Sequence, residues 1–183
     1  MNRPTGHQMR IVGLAGWSGA GKTTLLARII PVLRARGLRV STVKHAHHGF
    51  DVDIPGKDSH THRQAGATEV FVSSSSRWAH IHELRDEPEP ELHEILARLA
   101  PVDLVIVEGY KRHGHPKLEI YRAEVGKPLL QPDDNWIVAV ASDAPVPAAR
   151  VPVLDLNDIE KIADVLTIES VPLERVSAEP ERV

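Results

Sequence analysis

The strongest constraint on the fold is a glycine-rich segment that lies between an apolar run and a helical pattern. Residues 16–23 read Gly-Trp-Ser-Gly-Ala-Gly-Lys-Thr and match the pattern G-x-x-x-x-G-K-[ST] at every fixed position. The apolar run 10–15 predicts a buried strand before the segment, and apolar residues recur at helical spacing from Lys22 to a stop at Gly37. A strand, a tight turn and a helix in this order are what a phosphate-binding loop requires.

Each part of this P-loop predicts a role in binding a nucleoside triphosphate. Gly16, Gly19 and Gly21 let the backbone curl so that its N–H groups face phosphate oxygens. Lys22 is expected to reach the β- and γ-phosphates, and the Thr23 hydroxyl is a candidate ligand for Mg²⁺. The remaining predicted nucleotide-binding residues here are Trp17, Ser18, Ala20 and Thr24.

A carboxylate for the metal is predicted at the end of the most apolar run of the chain. Residues 102–107 read Val-Asp-Leu-Val-Ile-Val, and Glu108 follows them. Ligands of open α/β sheets bind outside the carboxyl ends of the strands, which is where Glu108 would stand. We therefore predict that Glu108 contributes to metal binding and catalysis. An ordinary acid at a strand end is the alternative.

Strand and helix patterns alternate along the chain and predict an α/β fold of the three-layer P-loop NTPase type. The sheet is expected to be mostly parallel, with helices on both faces, in one domain over 1–170 and a flexible tail over 171–183. Zero cysteine excludes disulfides and thiolate metal sites, and a net charge of −3 gives no pull toward nucleic acid or membrane. With no export signal and no apolar run of about 20 residues, we expect a cytoplasmic protein.

Two polar segments follow predicted strands and are expected at the same sheet edge. Segment 44–59 contains three aspartates, two lysines and three histidines, and its Asp53 or Asp58 can orient water or approach Mg²⁺. Segment 109–117 contains five basic or potentially basic residues next to Glu108. For both segments, contacts to an anionic ligand and solvated loop positions remain open. The histidines concerned are His45, His47, His48, His113 and His115.

Several of these segments together resemble the MobB family, the molybdopterin-guanine dinucleotide biosynthesis protein B. The resemblance runs over about 10–166 and is carried by G-W-S-G-A-G-K-T, K-H-A-H-H-G-F-D-V-D-I-P-G-K-D-S, R-Q-A-G-A, S-S-S-S-R-W-A and V-E-G-Y-K. It implies a homodimeric protein that binds GTP and Mg²⁺ and hydrolyses GTP weakly. Its implied partner is the guanylyltransferase MobA, with molybdopterin or its carrier proteins as further candidates and no nucleic acid.

The resemblance also implies roles for individual residues. The P-loop would hold the triphosphate, Lys22, Asp53 and Glu108 would be the catalytic candidates, and Thr23, Asp58 and Glu108 would be the metal candidates. The chain has no Asn-Lys-x-Asp motif, which would indicate guanine recognition. Asp143, at the end of the predicted strand 137–141, is the candidate reader of guanine, and a turn residue is its alternative.

Two other functions are compatible with the P-loop. A small-molecule kinase would need a lid with arginines; Arg77 and Arg112 are available, but no arginine-rich lid stands out. A nickel-insertion GTPase is suggested by eleven histidines and weakened by the absence of cysteine. No arginine finger or water-positioning glutamine is evident near the P-loop, which predicts slow hydrolysis.

Overall fold

Strand β1 (Arg10–Ala15) lies inside a seven-stranded sheet that carries the rest of the fold. The computed structural model describes residues 8–46, 49–110 and 113–176. The further strands are β2 (Val40–Lys44), β3 (Glu69–Ser73), β4 (Trp78–His82), β5 (Leu104–Glu108), β6 (Lys117–Tyr121), β7 (Ile137–Ser142), β8 (Val153–Asp155) and β9 (Val171–Pro172). The helices are α1 (Lys22–Ala35), α2 (Asp58–Gln64), α3 (Leu92–Ala97) and α4 (Ile159–Glu169), and 3₁₀ turns span Ala123–Val125, Gln131–Asp133 and Leu173–Arg175.

The strand order of the large sheet is β2-β5-β1-β6-β7-β8, and all of these neighbours pair in parallel. Only β9 runs antiparallel; it pairs with the first two residues of β1, ahead of the point where β6 joins. The predicted α/β fold with a mostly parallel sheet is confirmed. None of the described helices is long and apolar enough to cross a membrane.

Alternation along β1 divides the core between the two faces of the sheet. Val12 and Leu14 belong to an apolar cluster with α1 and α4, whereas Ile11 belongs to a second cluster with α3. Residues of a strand point alternately to opposite faces, so a strand buried on both sides must be apolar throughout. β1 and β5 meet this condition, which explains their continuous apolar runs.

Residues 46–91 form a second compact unit, and the rest of the chain forms the first. The second unit contains α2 and the antiparallel hairpin β3–β4. Within it, the nearly buried Arg63 pairs with three carboxylates, those of Asp51, Asp53 and Glu83. That residues 1–170 fold as one domain stays a prediction.

The structure differs from the sequence-based expectations at three element boundaries. Residues 171–176 do not begin a tail, because β9 pairs with β1 and a 3₁₀ turn follows; residues 177–183 lie outside the described part. Asn157, with Glu160 three residues on, predicts a cap for the last helix, but Asp158 caps α4 by accepting the N–H of Lys161. The apolar spacing of residues 88–99 predicts a helix over that range, but α3 is shorter and begins only after Pro90.

Lys117 and Asp134 form an ion pair whose lysine is almost fully buried. Lys117 Nζ lies 3.0 Å from Asp134 Oδ2, and Asp134 Oδ1 also accepts the backbone N–H of Trp136. Removing one partner of a buried pair leaves an uncompensated charge in a medium that solvates it poorly.

We expect Asp134→Ala to lower the free energy of unfolding by about 3 kcal/mol, near the low end for buried pairs because Asp134 is partly exposed. Urea unfolding followed by circular dichroism measures this change. Asp133→Ala, which removes the exposed neighbouring carboxylate, is the matched control and should cost less than about 0.5 kcal/mol. Equal effects of the two substitutions would contradict the prediction.

Candidate functional site

The P-loop connects β1 to α1 and takes a backbone shape that requires glycine. Gly16, Gly19 and Gly21 all have φ between 84° and 139°, a region that side chains rarely permit. At Gly16 a Cβ would also lie 2.6 Å from the carbonyl oxygen of Ile120 in β6. The loop therefore packs directly on the neighbouring strand and places the first turn of α1 at the carboxyl edge of the sheet.

The Lys22 ammonium is folded over the loop that precedes it. Its Nζ donates to the carbonyl oxygens of Gly16 and Trp17 at 2.9 and 3.0 Å. These contacts hold a positive charge at the loop, on the side chain that the motif assigns to the β- and γ-phosphates.

Glu108 ends β5 opposite the first turn of α1. Its carboxylate oxygens lie 3.4 and 3.5 Å from Thr23 Oγ1, and Oε1 lies 3.7 Å from Lys44 Nζ. Parallel pairing causes this arrangement, because Glu108 is in register with Leu14 on one side and with Lys44 on the other. A hydroxyl and a carboxylate are oxygen donors of the kind Mg²⁺ prefers, and oxygens sharing one octahedral ion lie about 3 Å apart.

A further charged side chain, Arg122, meets the P-loop from β6. An added Cβ at Gly21 would lie 3.7 Å from Arg122 Nε. Arg122 NH1 pairs with Asp143 at 3.2 Å and with Glu124 at 3.3 Å. The sequence analysis named Asp143 and missed Arg122. The pattern of residues 118–122 predicts a strand that ends at Arg122, but only the pairing of β1 with β6 places Arg122 beside the P-loop.

The segment 122–130 runs from Arg122 along the P-loop. Trp17 Nε1 donates to the carbonyl oxygen of Pro128 at 2.7 Å, and Lys127 Nζ lies 5.9 Å from the Trp17 ring centroid. Glu119, buried in β6, accepts the N–H groups of Leu130 and Gln131 at 2.8 Å each, and burial raises the pKa of its carboxyl. These contacts anchor the C-terminal end of the segment to the P-loop and to β6.

The chain is similar to proteins already known. The family model for molybdopterin guanine dinucleotide synthesis protein B, MobB, matches residues 11–143. The chain belongs to the MobB family. The molybdopterin-guanine dinucleotide biosynthesis adapter protein of Escherichia coli (strain K12) is 44% identical over 157 residues, which cover 84% of this chain and 89% of that protein.

Two further relatives agree with the MobB assignment. The adapter protein of the same description from Haemophilus influenzae is 41% identical over 87% of this chain and 89% of its own length. A crystal structure of molybdopterin-guanine biosynthesis protein B superposes with a TM-score of 0.66 at 31% identity, covering 84% of this chain and 94% of that chain. The P-loop fold predicted from the sequence is therefore shared with solved MobB structures.

The predicted residues Asp53 and Asp58 belong to the second unit of this MobB-family chain. Both carboxylate oxygens of Asp53 accept from Arg63, at 2.7 and 3.0 Å, and this hydrogen bonding lowers the pKa of Asp53. Asp58 is exposed in the first turn of α2. Their roles with water or metal stay predictions. A structural role for Asp53 within the second unit follows directly from its pairing.

The histidines of the two polar segments have different environments. The His45 ring stacks at a tilt on Tyr110, with centroids 4.8 Å apart, and His113 meets the same Tyr110 edge-on. His47 and His48, like Lys111 and Arg112, lie outside the described residues. Among the described residues, no three His, Asp or Glu side chains are grouped to hold a metal ion.

The structure places His115 in neither of the two settings left open for its segment, contact with an anionic ligand or a solvated loop position. Its ring is fully buried, and neither ring nitrogen has a hydrogen-bond partner within the described part of the chain. Burial, together with the charge of Lys117, lowers the pKa of His115 to about 3. The ring is therefore neutral at physiological pH and packs against the backbone of Gly13.

We expect the His115 ring to stay neutral down to about pH 4 in an NMR titration, whereas His82, whose pKa is raised by Glu69 and Glu87, should titrate above 6.5. The unfolded chain binds a proton at His115 below pH 6.5 and the folded chain does not, so stability should fall as the pH falls from 6.5 toward 3. His115→Leu should reduce this dependence. A His115 titration near 6.5 would contradict the prediction.

Proposed function

We propose that this protein is a GTP-binding adapter in molybdenum cofactor biosynthesis that assists the attachment of GMP to molybdopterin. The observation that carries the proposal is the placement of Glu108 opposite Thr23, the last residue of a complete P-loop, in a chain of the MobB family. The described function of the relatives from Escherichia coli and Haemophilus influenzae supports it, since both align over most of their length.

The proposed ligands are GTP and Mg²⁺. The loop N–H groups and Lys22 would bind the phosphates, and Thr23 with Glu108 would hold the metal, which neutralises phosphate charge when bound. Lys44, whose Nζ lies 3.7 Å from Glu108, adds a second cation at the same place. The sequence analysis offers Asp143 as a candidate guanine contact, and in the structure its Oδ2 lies 3.2 Å from Arg122 NH1.

Hydrolysis is proposed to be slow because the residue assigned to the attacking water is engaged elsewhere. Both oxygens of Asp53 accept from Arg63 and its side chain is nearly buried, which leaves little of the carboxylate to orient a water molecule. An adapter role is compatible with a low intrinsic rate. Asp58 remains the second candidate for the water or the metal.

The proposed partner is a guanylyltransferase of the MobA type, with molybdopterin or its carriers as further ligands and a homodimer as the assembly. Phe71 and Trp78 of the hairpin stack with centroids 5.3 Å apart and are 63% and 66% exposed. Exposed apolar patches are typical of surfaces that contact other macromolecules, which supports an adapter. A cytoplasmic location belongs to the proposal and rests on the absence of cysteine.

We expect Lys22→Ala to weaken GTP binding by at least about 1.5–3 kcal/mol, because a charge-assisted phosphate contact is lost. Calorimetry with GTP and with ATP in Mg²⁺ measures both affinity and base preference. Lys161→Ala, an exposed lysine of α4, is the matched control and should leave binding unchanged. ATP binding as strong as GTP binding would contradict the guanine assignment.

We expect GTP turnover to be slow for the isolated protein and to change when a MobA-type guanylyltransferase is added, because an adapter acts through its partner. Phosphate release and formation of the guanine dinucleotide, each measured with and without the transferase, test this. The Lys22→Ala variant should remove the change in GTP turnover that the transferase causes. Turnover of many GTP per second without any partner would contradict the adapter role.

A further inference from the structure

Arg122 presents one edge of its guanidinium to the last glycine of the P-loop. If Gly21 carried a Cβ, that atom would lie 3.7 Å from Arg122 Nε and 3.9 Å from NH2. Gly21 has no side chain and holds φ at 92°, so no side-chain atom of residue 21 lies between the loop backbone and the edge formed by Nε and NH2. Arg122 follows β6, the parallel neighbour of β1, and reaches the same sheet edge as the loop.

The opposite side of the guanidinium is held by two carboxylates. Asp143 Oδ2 lies 3.2 Å from NH1, and Glu124 Oε1 lies 3.3 Å from the same nitrogen. Both acids therefore contact NH1, and neither pairing involves Nε or NH2. Asp143 and Glu124 therefore hold the Arg122 side chain at NH1, and the edge formed by Nε and NH2 lies next to Gly21 of the P-loop.

The Nε–H group of Arg122 is buried and has no acceptor among the described residues. A buried donor without a partner costs free energy, and native structures avoid this unless a ligand or water supplies the acceptor. The Nε–NH2 edge of a guanidinium matches two oxygens of a phosphate in one plane. An anion bound in the P-loop would supply such oxygens at this place.

We propose that Arg122 is a phosphate-binding residue of the nucleotide site and that Asp143 is the residue that positions it. The inference rests on the proposed nucleotide-binding function and deepens it. Loop N–H groups of this motif cradle the α- and β-phosphates, so Arg122, at Gly21, is assigned to those phosphates and not to the γ-phosphate. Asp143 is then engaged by Arg122 and does not read guanine.

Calorimetry of Arg122→Ala with GTP and with GDP, both in Mg²⁺, tests the phosphate assignment. We expect affinity to fall on the order of ten- to a hundred-fold, by the same factor for both nucleotides. Arg122→Lys should restore part of the affinity, because it returns a point charge without the planar fork. Binding within twofold of wild type for Arg122→Ala, or a loss confined to GTP, would overturn the assignment.

Arg36→Ala is the matched control. Arg36 also pairs with two acids, Glu160 and Asp164, but it lies at the far end of α1, about 20 Å from the loop by helical rise. Its removal should leave nucleotide affinity unchanged. Thermal unfolding of every variant confirms that it is folded, and Arg122→Lys supplies the test if Arg122→Ala is not.

A double-mutant cycle between Arg122→Ala and Asp143→Asn tests the positioning role. If Asp143 acts through Arg122, Asp143→Asn weakens GTP and ATP by the same factor and has little further effect in the Arg122→Ala background. If Asp143→Asn instead lowers the preference for GTP over ATP in both backgrounds, Asp143 reads guanine and its assignment as a positioning residue is overturned.

The failure of this inference can be told apart from the failure of the proposed function. Wild-type affinity for GTP that is lost in Lys22→Ala but retained in Arg122→Ala overturns the inference alone. A folded wild-type protein that binds neither GTP nor GDP overturns both.

Discussion

The parallel pairing of β1 with β5 on one side and β6 on the other is the constraint on which the candidate site depends. The three strands end at one edge of the sheet, so the P-loop after β1 is flanked by Glu108 and by Arg122. Neither side chain needs a motif of its own to reach the loop, because backbone hydrogen bonds fix the register. The apolar residues on both faces of the sheet hold those strands in place, so the geometry of the site depends on the packing of the core.

The first unit thus surrounds the P-loop with charges of both signs. Lys22 and Arg122 are cations at the loop, while Glu108 and Thr23 offer oxygen to a metal. The second unit has a different organisation, in which Arg63 gathers three carboxylates that would otherwise repel one another. Segment 44–59 is one of the segments that carry the family resemblance. Two of its acidic residues, Asp51 and Asp53, therefore stabilise the second unit by pairing with Arg63.

How much the sequence predicts depends on how local the cause is. The P-loop and the buried strand before Glu108 were predictable, because motif, glycine placement and apolar runs are local signals. Arg122 was missed, since its role comes from the order of strands in the sheet. The burial of His115 was not predictable, because no periodicity reports the burial of a loop residue. The ends of α3 and α4 shifted because the prolines before α3 and the Asp158 cap override the apolar pattern.

The His115 ring packs closely against Gly13 of β1. A Cβ at Gly13 would stand 2.5 Å from His115 Nε2 and 2.9 Å from Lys117 Cγ. A side chain at position 13 and the His115 ring would therefore occupy the same space next to β1, the strand that leads into the P-loop. A relative that carries a side chain at the position of Gly13 must carry a differently shaped residue at that of His115, so a change at Gly13 requires a change at His115.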